Sequence, residues 1–96
     1  MILEKDLESR LVSIVKARGG VCLKWVCPGW AGVPDRIVLL PGGRIYFIEL
    51  KRPKDGRLSE RQKWWRERIL GLGFDYCVIW NQGNLETFQI LLDYTQ

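Results

Sequence analysis

The sequence predicts an α/β fold with a mixed four-stranded sheet flanked by helices. Three observations lead there. Apolar residues recur at helical spacing near the N-terminus. Three short runs rich in β-branched and large apolar residues then follow in succession between Val21 and Leu50, with a fourth from Asp75. Helical segments with polar starts separate and follow the last of these strands. The order is α-β-β-β-α-β-α, and strands covered by helices make a layered sandwich. At 96 residues the chain is expected to form one small domain, residues 1–96, whose modest core dimerisation would help.

Each element has its own signature. Leu3, Leu7, Leu11, Ile14 and Val15 lay an apolar stripe along a helix from Leu3 to Arg18, ended by Gly19-Gly20. Val21–Cys27 reads as a strand with Lys24 at its centre, where a lysine ordinarily snorkels from a sheet edge. Pro28–Gly32 is a loop whose Trp30 either stacks on a base or covers the core. Arg36–Leu40 and Ile45–Leu50 form a hairpin through Pro41-Gly42-Gly43. Ser59 with Gln62 fits a capping box that starts a helix running to Leu72. On it Trp64 and Trp65 point about 100° apart, one packing on the sheet with Ile69 and Leu72 and the other free for a dimer contact. Asp75–Asn81 is the fourth strand, and Asn84 caps a short last helix carrying Leu85, Phe88, Leu91 and Leu92.

Composition narrows the chemistry. Three cysteines without paired spacing, and no histidine, disfavour a disulfide framework and a zinc site. Without histidine, Ser-His and Cys-His catalysis and a histidine base are excluded, which leaves carboxylates, lysine and a metal. No apolar run is long enough to span a membrane, and the charged start MILEKDLESR is unlike a signal peptide, so a cytoplasmic protein is expected. The net charge of +4 is uneven: residues 51–68 hold eight basic and three acidic residues, the rest seven basic and eight acidic. Such a segment suits a phosphate backbone, or is simply a solvated helix face.

The segment Gly32–Lys51, GVPDRIVLLPGGRIYFIELK, carries the sharpest signal. Side chains alternate along a strand, so Glu49 and Lys51 share a face while Leu50 takes the other. A three-residue loop pairs Leu40 with Arg44, Ile37 with Phe47 and Asp35 with Glu49. Opposed residues hold their Cβ atoms about 4.5–5.5 Å apart. Two carboxylates so placed repel unless a cation lies between them, and a hard divalent ion such as Mg²⁺ is the natural one.

Pro34-Asp35 followed by Glu49-Leu50-Lys51 resembles the PD-(D/E)xK nuclease signature. With Gly32-Val33-Pro34-Asp35-Arg36 and Pro41-Gly42-Gly43 it is similar to the virus-type replication-repair nuclease branch, the VRR-Nuc domain, over most of the chain from Glu8 to about Trp80. The resemblance implies a metal-dependent phosphodiesterase acting on nucleic acid, with the α/β core of that superfamily. It places Glu8, rather than Glu4, near the metal, gives Gln62 a reading alternative to capping, beside the metal site where its amide would orient the lysine or a phosphate, and suggests a phosphate contact for Lys24. Stand-alone members are homodimers organised like Holliday-junction resolvases and are often encoded by bacteriophages, so a phage protein working in the bacterial cytoplasm is implied.

The resulting expectation is an endonuclease that cuts DNA with Mg²⁺ or Mn²⁺ and no small-molecule cofactor. Asp35, Glu49 and the Leu50 carbonyl would hold the ion, Glu8 completing the site directly or through water. Lys51 would position the attacking water and offset developing charge. Arg52, Lys54, Arg57 and Arg61 would contact the DNA backbone. A two-fold dimer suits a four-way junction. Flaps, nicks or RNA are alternative substrates, and a non-catalytic nucleic-acid-binding module with this fold is the alternative outside enzymes.

Overall fold

Local chemistry sets the element boundaries in the computed structural model, which describes residues 4–51 and 57–94. Helix α1 spans Glu4–Ala17, followed by strands β1 (Val21–Lys24), β2 (Arg36–Leu40) and β3 (Arg44–Leu50). Helix α2 (Glu60–Gly71), strand β4 (Asp75–Ile79) and helix α3 (Gln82–Tyr94) complete the order. After α1, Gly19 adopts φ +79°, and its N–H donates to the Lys16 carbonyl at 3.0 Å. Gly20 then lets the chain pass against β2, where a Cβ would lie 2.4 Å from the Leu39 carbonyl oxygen.

The sheet order is β1-β2-β3-β4. The first two pairings are antiparallel and the β3–β4 pairing is parallel. A parallel neighbour needs a crossover connection, and the segment containing α2 supplies it. The β2–β3 hairpin has the three-residue loop that the glycines predict, with Leu40 opposite Arg44 and Ile37 opposite Phe47.

Alternation divides the sheet into two unlike faces. Val38, Leu40, Tyr46, Ile48, Leu50 and Ile79 meet Leu7, Leu11 and Val15 of α1 and Leu85, Phe88 and Leu92 of α3 in one buried cluster. Burying each such side chain contributes about 1.5–3 kcal/mol. Arg18 and Asp93, 2.6 Å apart, tie α1 to α3. The opposite face carries Ile37, Phe47, Tyr76 and Val78, all half-buried, beneath α2. There Trp25 of the segment after β1 lies 5.4 Å from Phe47 and 5.8 Å from Trp65, ring centre to ring centre.

Several boundaries differ from expectation. Strand β1 ends at Lys24 rather than Cys27, because β2 starts only at Arg36 and one further bond, Trp25 N–H to the Asp35 carbonyl at 3.0 Å, exhausts the partner. Helix α3 starts at Gln82 rather than at Asn84. Asn81 is its cap, its Oδ1 accepting the Asn84 N–H at 2.8 Å, while the Asn84 side chain accepts the Trp80 N–H at 3.0 Å. Leu72, expected on the sheet, is 59% exposed, since α2 has ended at Gly71 and Leu72 is its cap. The cysteines are free and half-buried; burial raises the Cys77 thiol to about 11. No described helix is long and apolar enough to cross a membrane.

Candidate active site

The hairpin turn places the first two site residues. Extending the Arg36–Ile48 pair by one step sets Asp35 opposite Glu49. Asp35 is held from both ends: its carbonyl accepts the Trp25 N–H, and its Oδ2 accepts the Leu50 N–H at 2.8 Å. Its carboxylate is thereby drawn to the end of β3. The next residue is anchored from the other side of the strand, with Lys51 N–H donating to the Ile79 carbonyl at 3.0 Å. Asp35, Glu49 and Lys51 thus collect where β2 begins and β3 ends.

Burial distinguishes the three. Glu49 is 3% exposed and is the buried charged residue of the described chain; Asp35 and Lys51 are half-buried. Removing a carboxylate from water costs several kcal/mol unless polar or cationic groups compensate it. Gln62 supplies one compensation. Its Oε1 accepts the Ser59 N–H at 2.9 Å while the Ser59 hydroxyl accepts the Gln62 N–H at 3.1 Å, the complete capping box. Its Nε2 donates to Glu49 Oε2 at 3.3 Å. The two ends of one amide thus serve the cap and Glu49. The first turn of α2 also brings the partial positive charge of a helix start to Glu49.

Glu8 is anchored by an arginine of β2. Its Oε2 accepts from Arg36 Nε at 2.9 Å, and Arg36 also donates to the Cys22 carbonyl at 3.1 Å. Arg36 is one residue out of phase with Asp35 and pairs with Ile48, so it projects toward α1. Among the described residues no three His, Cys, Asp or Glu side chains gather as a metal-binding group. Glu8 is thus held by Arg36 on the α1 side of the strand that begins beside Asp35. Lys24 is exposed at the end of β1, in register with Arg36. Arg57 and Arg61 are exposed before and on α2. Arg52 and Lys54 lie outside the described residues.

Tyr76 was not among the residues singled out by sequence. It pairs with Phe47 across the parallel β3–β4 ladder, on the Glu49 side of the sheet. Burial first, then the Glu49 carboxylate, push its phenol far above the usual tyrosine value; Asp35 adds to the rise and Arg66 opposes it. A neutral hydroxyl is thus kept in the field of both acids. Strand alternation puts Tyr76 and Val78 on one face, and the β3–β4 register shows which face that is.

The donor set fits a hard divalent cation. Asp35, Glu49 and the Leu50 carbonyl offer oxygen ligands only, which Mg²⁺ prefers, with waters filling the remaining positions. The imidazole ligands that would favour zinc are not available, the chain having no histidine.

Beyond Gln62, α2 is clasped to the loop preceding Asp35. Trp65 Nε1 donates to the Ala31 carbonyl at 3.0 Å. Gly32, at φ +84°, runs so close to α2 that a Cβ would lie 2.6 Å from the Arg61 Cβ.

Comparison with known proteins agrees with this architecture. No model of a known protein family matches the chain. A curated phage protein, "Putative nuclease p44" of Acyrthosiphon pisum secondary endosymbiont phage 1, is 40% identical over 82 residues, which cover 85% of this chain and 87% of the relative. A solved structure described as a VRR_NUC domain superposes with a TM-score of 0.85 at 25% identity, covering 97% of each chain.

Proposed function

Because this chain belongs to the VRR-Nuc family of nucleases, we propose that it hydrolyses DNA phosphodiester bonds at the Asp35–Glu49–Lys51 end of the sheet, using Mg²⁺ or Mn²⁺. The observation that carries this reading is the register: one step beyond the last pair of β2 and β3, Arg36 with Ile48, an aspartate falls opposite a buried glutamate, with a lysine two residues beyond the glutamate. Asp35, Glu49 and the Leu50 carbonyl are the residues to hold the ion, with Glu8 completing the site directly or through water. When bound, it would supply polarisation of the scissile phosphate and a lowered pKa for the attacking water.

The chain's own residues supply the rest. Lys51, anchored at its backbone by β4, positions that water and offsets charge developing on the phosphate. Gln62 keeps the Glu49 carboxylate oriented, and the Arg36–Glu8 pair braces the strand that begins beside Asp35. Arg57 and Arg61, with Arg52 and Lys54, contact backbone phosphates, which positions substrate without reading its sequence. Lys24, exposed near Arg36, is a further phosphate contact. A homodimer would set two sites about a two-fold axis, the symmetry of a four-way DNA junction.

The test is cleavage of a labelled four-way junction and of a linear duplex of the same sequence with Mg²⁺, Mn²⁺ or EDTA, together with sedimentation of the protein. A dimer that cuts the junction in preference, only with metal, is expected. Asp35→Ala and Lys51→Ala should abolish cutting while junction binding stays within about an order of magnitude, since binding rests on the basic segment and counterion release. Cutting that survives in both variants would refute the nuclease assignment of this site. Equal cutting of both DNAs by a monomer would remove only the junction-resolving part.

A further inference from the structure

Resting on the nuclease reading above, we infer that a cavity beside the active site, walled by Trp30 and Trp64, stacks an unpaired nucleobase of the bound strand. The cavity holds about 320 Å³ and is lined by Trp30, Glu60, Arg61, Trp64 and Trp65. That lies at the lower end of the ~300–1,000 Å³ typical of small-ligand sites. Trp30 is 57% exposed and Trp64 is 51% exposed, a costly arrangement for two large apolar rings unless something covers them.

The walls are built in advance. Trp65 meets Trp30 edge-on at 5.7 Å and Trp64 at 5.1 Å, and its indole N–H is bonded to the Ala31 carbonyl. The tight passage of Gly32 along Arg61 pins the Trp30 loop to α2. No described ring stacks in parallel on Trp30 or Trp64. A ligand entering here orders little of the protein, so less of its binding energy is lost to ordering.

Charge and position select the ligand. Helix α2 carries Arg61, Lys63, Arg66 and Arg68 against Glu60 and Glu67, and Glu60 is paired with Lys63 at 3.5 Å. An exposed tryptophan on a basic helix, with a second on the loop clasped to it, makes a platform on which single strands stack their bases while the cations track phosphates. The cavity is also next to the chemistry: Arg61 precedes Gln62, whose amide holds Glu49, and Trp65 touches Trp25, whose N–H bonds the Asp35 carbonyl. A base unstacked near a branch point or end would be captured beside the helix turn that bonds Glu49.

The experiment uses the full chain in EDTA, so that no strand is cut. Affinity is measured by fluorescence anisotropy for a labelled twelve-residue oligothymidylate and for an abasic strand of equal length. The wild type should prefer the strand with bases. Trp30→Ala/Trp64→Ala should weaken binding to that strand by roughly tenfold or more, in line with stacking of one or two bases, and change abasic binding by no more than about twofold. Trp30→Phe/Trp64→Phe, which keeps flat rings, should restore most of the preference. Equal wild-type affinity for the two strands, or equal losses on both in the alanine variant, would overturn the inference. So would conversion of a dimer to a monomer by the alanine variant, which would give this surface to a second copy. If that variant fails to fold, the wild-type comparison and the phenylalanine variant decide. Metal-dependent junction cleavage by the wild type, assayed in parallel, reports separately on the nuclease reading.

Discussion

At the scale of single residues, the strongest constraint is a buried carboxylate facing a second one. Glu49 is 3% exposed and Asp35 is set opposite it by the hairpin register. Their repulsion is relieved by removing one charge or by adding a cation between them. Asp35→Asn keeps an oxygen to accept the Leu50 N–H, so in EDTA the variant should melt at or above the wild-type temperature. Addition of Mg²⁺ or Mn²⁺ should raise the wild-type melting temperature more than that of the variant, as a ligand of the native state does. Equal rises in calorimetry would place the ion elsewhere. Tyr76 lies in the same field, and Tyr76→Phe, which removes only the hydroxyl, should leave the fold intact and report through cleavage rate whether that group serves the site.

At the scale of elements, α2 is fitted to the site by its ends and its flank. Ser59→Ala removes the acceptor for the Gln62 N–H and should cost about 1 kcal/mol in urea denaturation. It should also lower cleavage, since the same glutamine bonds Glu49. Gly32→Ala tests the flank. A residue with a Cβ is strained at φ +84° and would press on the Arg61 backbone, 2.8 Å from its carbonyl carbon. A loss on the order of 1–3 kcal/mol is expected, with a larger fall in activity than Ser59→Ala because the displaced loop leads directly into Asp35. A Gly32→Ala protein with wild-type stability would mean that loop and helix are not clasped as described.

At the scale of the whole molecule, the layers are joined by long-range ion pairs and the surface charge is polarised. Arg18 holds the Asp93 carboxyl below its usual value, chiefly by their hydrogen bond. A group depressed in the folded state stabilises above its unfolded pKa, near 4, and loses that contribution as pH falls through its folded value. Wild type should therefore melt slightly above Asp93→Asn at pH 7, and the gap should close in acid. A gap that persists at pH 2 would mean the aspartate acts through packing instead. Arg57 and Arg61 belong to the basic excess of residues 51–68. Replacing both should weaken binding to every DNA shape and flatten its salt dependence, the opposite of the Asp35 and Lys51 variants, which should lose cutting and keep binding.

What the sequence determined by itself is what depends on neighbouring residues or on a short turn. Helix stripes, the Ser59–Gln62 capping box and the three-residue hairpin loop are local, and strand alternation carries their consequence as far as the Asp35–Glu49 pairing. Boundaries were less legible where a competing cap existed: Asn81 and Asn84 are both good caps, and packing chose Asn81. The tertiary structure decided every relation between elements distant in the chain. The parallel β3–β4 register brings Tyr76 to the acids, and the seating of α2 gives Gln62 its second partner. The placement of α1 pairs Glu8 with Arg36. The reason is physical: a pairing register inside a hairpin is constrained by a few backbone dihedrals, whereas the contacts of a helix or a crossover strand follow from how whole faces bury against one another.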